Sequence, residues 1–324
     1  MIRVRTVFVS GLGREVSALG FGCASLGSIV SESQGLRALG YAFERGVSWY
    51  DVAPAYGDGE AEGIVGKFLS GRRDRVAICT KFGVPRPVVS PLMRLLRPMA
   101  RGMAKALPRM SQMKASGNRI WNKDRLHAEQ IEASVIESLR RLRTDYIDVL
   151  ALDGPSPQDC ANEAVLRELR RVIDKGYVRC VAIAGTPEAI AAGARMPGAY
   201  KIAQLSDNPF SQTLACVKNV LAGDAKFFFV THSVFGTGAH ERLSQLLVGD
   251  GGRLGALASQ LAYGPPFMAS EMLLDYAFAA NPEGVVLASM FTQAHIDMNC
   301  ARAVRPPRKD IGPFMRKFVI AAMP

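Results

Sequence analysis

A closed (β/α)8 barrel of the TIM type is the fold that the sequence predicts. Eight short apolar runs are each followed by a helical pattern, as expected of buried parallel strands with crossover helices. The glycine pattern of an open, doubly wound sheet fails: after Gly20 and Gly22 the third glycine position holds Ser25, and Gly11-Leu12-Gly13 leads to Val16. A chain of 324 residues with 48% hydrophobic and 21% charged residues can fill one such core without a second domain, so residues 1–324 read as a single domain.

The first strand-like run is Ala18 to Gly22 and the second Val47 to Val52, with a helical segment from Gly35 to Arg45 between them, stopped by Gly46. The third run is Val76 to Thr80 and the fourth Tyr146 to Leu152. Before the fourth, Ile131, Val135, Leu139 and Leu142 fall on one helix face. Val165, Leu166, Leu169, Val172 and Ile173 form another apolar face, ended by Gly176. Val178 to Ala184, Lys201 to Leu205, Phe227 to Thr231 and Val285 to Ala288 complete the eight.

Two stretches interrupt this rhythm. Residues 84–125 hold ten Lys or Arg and one acid, Asp124, and so carry +9 of the formal +11. Arg94, Arg97, Arg101 and Lys105 fall there at helical spacing, although Pro98 should break such a helix. Residues 239–266, glycine-rich from Gly249 to Gly255, read as a loop with a short helix. The basic stretch begins at the rim of the expected active site, which favours a lid that draws in anionic substrates. Trp121 is its single aromatic residue and no nucleic-acid motif accompanies it, so no nucleic-acid partner is expected; a plain solvated loop is the main alternative to the lid, and membrane contact a weaker one.

Six scattered cysteines with no C-x-x-C pair read as reduced core residues, and no metal site is expected. The amino terminus lacks an apolar signal core and no run of 18 apolar residues is present, so a cytoplasmic protein is expected.

The chemistry concentrates at two neighbouring strand ends. Tyr50-Asp51-Val52-Ala53-Pro54-Ala55-Tyr56-Gly57 follows the second run, and Lys81 ends the third. A phenol is a poor acid at neutral pH, but a nearby ammonium favours its ionised form, and a carboxylate holds that ammonium in place. Together Asp51, Lys81 and Tyr56 make a proton donor.

This arrangement resembles the aldo-keto reductase family, from about Val16 to about Ala303, including Gly20-Phe21-Gly22 and Gly59-Glu60-Ala61-Glu62. The resemblance implies hydride transfer between a nicotinamide cofactor, NADP or NAD, and a small carbonyl or alcohol substrate, sugar-like or anionic. It makes Tyr56 the general acid or base, with Lys81 lowering its pKa and Asp51 pairing with Lys81. Relatives usually place a His after the fourth strand; here Asp153 stands there, able to donate a hydrogen bond only when protonated. Ala184-Gly185 replaces the usual Ser-Asn after the fifth strand. Gln204 matches a ligand of the nicotinamide carboxamide. His232, Ser233 and Phe235 match the loop around the pyrophosphate, with His232 in place of a stacking aromatic ring. Ser289 to Asn299 matches the adenosine-phosphate segment, Asn299 fitting an adenine contact and a helix starting near Thr292. The cation that commonly grips a 2′-phosphate is absent, leaving Arg302, Arg242 and Arg253 as substitutes. The alternative is a member with altered or lost redox activity, acting as a cofactor-binding regulator or a proton-transfer enzyme.

Overall fold

The computed structural model describes residues 3–87, 126–221, 227–249 and 252–321. Residues 88–125, with Arg94, Arg97, Arg101, Lys105 and Trp121, lie outside the described residues, and with them nearly all of the basic stretch. An antiparallel hairpin, β1 (Thr6–Val9) and β2 (Arg14–Ser17), precedes the eight strands of the barrel. These are β3 (Leu19–Gly22), β4 (Trp49–Asp51), β5 (Ala77–Phe82), β6 (Ile147–Asp153), β7 (Val178–Ala184), β8 (Ile202–Ser206), β9 (Phe228–His232) and β10 (Val285–Ala288). They close in the order β10-β3-β4-β5-β6-β7-β8-β9, every pair parallel.

Side chains of a strand alternate between two faces, so every second residue points at the barrel axis. The axial set is apolar at the bottom and polar at the top. Trp49 lies below Asp51, Ala77 and Cys79 below Lys81, Val149 and Ala151 below Asp153, Ile202 below Gln204, and Phe228 and Val230 below His232. This ordering places the polar residues at the C-terminal mouth. The outward residues pack on the helices: Glu62, buried in helix Ala61–Phe68, accepts a 2.7 Å hydrogen bond from the Thr80 hydroxyl and pairs with Arg141 at 2.6 Å. That tie fixes the rotation of β5 and so directs Lys81 inward.

The hairpin was not expected from the sequence. It supplies Val7, Val9 and Val16 to the same axial cluster as Trp49 and Phe228, at the end where the strands begin. Its backbone is anchored there, Ser17 N–H donating to the Ser48 hydroxyl at 2.8 Å. The bottom is thereby plugged and the mouth left as the open end.

Two further expectations are corrected. Residues 239–266 carry helices Ala239–Val248 and Arg253–Gln260, more than a loop with one short helix. Leu243 and Leu247, one turn apart, bury that segment's apolar face, and the glycines mark the break between two helices. The cysteines are all free among the described residues, but Cys216 is exposed on helix Thr213–Leu221; the other five are buried. Among the described residues no helix is long and apolar enough to cross a membrane.

Candidate active site

Asp51 and Lys81 meet at the top of the axial set, both buried. Lys81 Nζ lies 3.1 Å from Asp51 Oδ1 and donates to Asp51 Oδ2 at 3.2 Å. Tyr56 is half-buried in the 3-10 turn Tyr56–Gly59, with Lys81 Nζ 5.8 Å from its ring centroid. The next residue holds the turn in place. Gly57 has φ +59°, and a Cβ there would sit 1.4 Å from the Leu26 carbonyl oxygen, so glycine alone lets this turn lie against the loop after β3. A second glycine shapes the neighbouring rim, after β5: at Gly83, φ +133°, a Cβ would meet the Asp153 carbonyl oxygen at 2.8 Å.

Burial and charge compete throughout this cluster. Burial pulls the Lys81 ammonium down, but Asp51, Tyr56, Cys79 and Asp153 outweigh it, and its pKa is held well above the ordinary lysine value. For Tyr56 the balance goes the other way from the sequence expectation. Burial pushes the phenol up, Lys81 draws it down, and Asp51 and Asp153 add to the rise, so the net shift is upward. Tyr56 is held protonated. Burial likewise raises the Asp153 carboxyl, with Lys81 opposing and Asp51 assisting, and the neutral acid gains. His232 is depressed to about 4 by burial first and then by the Lys81 charge, so its imidazole is neutral at neutral pH.

The remaining expected residues fall into four groups. Gln204 joins the cluster directly: its Nε2 donates to Asp51 Oδ2 at 2.9 Å and its Oε1 accepts from Lys81 Nζ at 3.1 Å. His232 and Ser233 stand together at the end of β9, with His232 Nδ1 2.9 Å from Ser233 Oγ and Phe235 half-buried beyond them. Ser289 is exposed at the end of β10, donating to the Gly22 carbonyl at 3.3 Å. Asn299 lies apart from these. It is 1% exposed, its Nδ2 against Met290 Sδ at 3.5 Å and its Oδ1 without a partner among the described residues.

Arg302 is not a free cation for a phosphate. It is 4% exposed and doubly hydrogen-bonded to Asp275, which also accepts from the Tyr263 hydroxyl at 2.7 Å. Arg242 lies over the Phe210 ring, 4.9 Å from its centroid, and the Arg253 side chain lies outside the described residues. Helix Gln293–Ala303 does start at Thr292, whose hydroxyl caps it by accepting from His295 N–H at 3.2 Å. One neighbour of the cluster was missed. Cys79 Sγ is 3.9 Å from Gln204 Oε1, and its spacing of two from Lys81 on one strand was the available signal.

The Aldo/keto reductase family model matches residues 18–219. Among curated relatives, the D-threo-aldose 1-dehydrogenase of Pseudomonas sp is 31% identical over 179 residues, 53% of this chain and 50% of the relative. The L-galactose dehydrogenase of Arabidopsis thaliana is 25% identical over 196 residues, 58% of this chain and 50% of the relative. The chain thus spans about half the length of the curated relatives it matches. Among solved structures, a glycerol dehydrogenase from Gluconobacter oxydans superposes with a TM-score of 0.73 at 17% identity, covering 98% of this chain and 96% of that one. An aldo-keto reductase from Klebsiella pneumoniae in complex with NADPH gives 0.67 at 18%, covering 98% and 95%. At these identities the structures establish the barrel, while the family match spans the strands that carry Asp51, Lys81, Asp153 and Gln204 and the turn that carries Tyr56. The chain belongs to the aldo/keto reductase family.

Proposed function

We propose that the protein is an oxidoreductase that moves a hydride between a nicotinamide dinucleotide, NADP or NAD, and the carbonyl or alcohol carbon of a small sugar-like or anionic substrate. The observation that carries this reading is the buried Asp51–Lys81 pair placed against Tyr56 at the open end of the barrel. The residues around the mouth fit such a cofactor. His232 offers a neutral flat ring and Ala184 and Gly185 add no bulk, while away from the mouth Asn299 Oδ1 is a buried acceptor without a partner among the described residues. When bound, the dinucleotide would give or take the hydride.

The chain supplies the proton. Tyr56, protonated across the neutral range, donates to the substrate oxygen, and the Lys81 ammonium stabilises the phenolate that forms. Asp51 keeps that ammonium charged. Asp153, its carboxyl raised by burial, would donate a second hydrogen bond to the same oxygen. An ionised Asp153 would repel the oxyanion, so reductase activity calls for its protonated form, the form toward which burial shifts it. The sugar-like class is supported by the aldose and galactose named for two relatives.

Titrating the protein with NADPH and with NADH, followed by nicotinamide fluorescence, tests the cofactor, and aldose-dependent turnover tests the substrate class. Tyr56→Phe deletes one hydroxyl, so kcat should fall by about 100-fold or more while cofactor affinity stays within about two-fold. Binding of neither cofactor, or full activity in the Phe variant, would overturn the reading.

A further inference from the structure

We propose that Gln204 is a positioning residue for the proton donor: its amide, bound to both Asp51 and Lys81, holds the Lys81 ammonium against the Tyr56 ring. The inference rests on the function proposed above, in which Tyr56 gives the proton. It adds a role to a residue for which the family resemblance implies only a contact with the cofactor.

Gln204 sits on β8, directly across the barrel from β4 and Asp51. Its side chain crosses the axis and is 2% exposed. The contacts close a triangle. Lys81 Nζ reaches Asp51 at 3.1 Å and Gln204 Oε1 at 3.1 Å, and Gln204 Nε2 reaches Asp51 Oδ2 at 2.9 Å. Chemistry fixes the amide's orientation, because an ionised carboxylate only accepts and an ammonium only donates. A carboxylate or a thioether of similar size would satisfy one contact or neither.

The consequence lies in where the ammonium sits. The Gln204 carbonyl shares the Lys81 ammonium with Asp51, and the Gln204 N–H takes up part of the Asp51 charge, so the amide sets where Nζ rests. Lys81 is the main opponent of burial at Tyr56. Any movement of its charge away from the ring therefore makes the phenol a weaker acid.

Gln204→Met keeps the volume and removes both hydrogen bonds. The expected result, at saturating cofactor and in an Asp153→Asn background that removes the Asp153 limb, is a fall in kcat of about ten-fold at pH 7 and an alkaline limb of kcat/KM displaced to higher pH. A pH profile parallel to that of the Asp153→Asn background overturns the proposal, whatever the melting temperature does. Weaker cofactor binding with an unmoved limb would assign Gln204 to the cofactor alone. A crystal structure of the variant decides the placement without turnover: Lys81 Nζ should lie farther from the Tyr56 ring than its present 5.8 Å. If the wild type turns over no substrate, the function fails, and that distance still decides whether Gln204 positions Lys81.

Discussion

At the scale of single residues, Asp153 has the most to decide. Its carboxyl is raised by burial against the pull of Lys81, so the neutral, donating form extends to higher pH than for a free aspartate. The neutral fraction falls as pH rises through that pKa, and reduction should fall with it. Asp153→Asn keeps an N–H donor and should retain most activity without that pH limb; Asp153→Ala should lose more, on the order of 100-fold. Superimposable pH–rate profiles for wild type and both variants would leave Asp153 as a turn residue before Gly154-Pro155. The position of this acid was legible in the sequence, since it ends a strand-like run. Its protonation was not, because desolvation depends on what the closed barrel places above and beside it.

At the scale of elements, helix Gln293–Ala303 shows how packing reassigns a residue. Arg302 was a plausible phosphate ligand by its place in the chain, yet its guanidinium turns into the groove against helix Met268–Ala280 and meets Asp275. Arg302→Met strands a buried carboxylate and should cost about 3 kcal/mol or more in chemical denaturation. The ratio of NADPH to NADH affinity should not change. A changed ratio would return Arg302 to the cofactor site. No local pattern in the sequence distinguishes a cation that faces solvent from one paired with an acid 27 positions earlier. By contrast, the amphipathic helices Ile131–Leu142 and Glu163–Asp174 were readable from spacing, since Val135 and Leu139 in one and Val165, Leu169 and Val172 in the other all turn inward.

At the scale of the whole molecule, the barrel has two ends with separate tasks. The hairpin plugs the bottom with Val7, Val9 and Val16, and the polar cluster lines the mouth. Val9→Ala should therefore lower stability by about 2 kcal/mol and leave kcat at the opposite end unchanged, checked by chemical denaturation beside steady-state kinetics. A fall in kcat at full occupancy of folded protein would mean that the plug also sets the geometry of the mouth.

The sequence by itself determined the eight strands, their parallel closure and the strand ends on which Asp51, Lys81 and Asp153 stand. These follow from local periodicity: two residues per strand repeat, 3.6 per helical turn, and short connections between them. The tertiary structure alone decided which way the balance of burial and charge falls at Tyr56, that Arg302 belongs to Asp275, and that Gln204 reaches Asp51 across 153 residues of chain. Each of these depends on distances between elements far apart in the chain. Such distances exist only once the barrel has closed and excluded water from its axis.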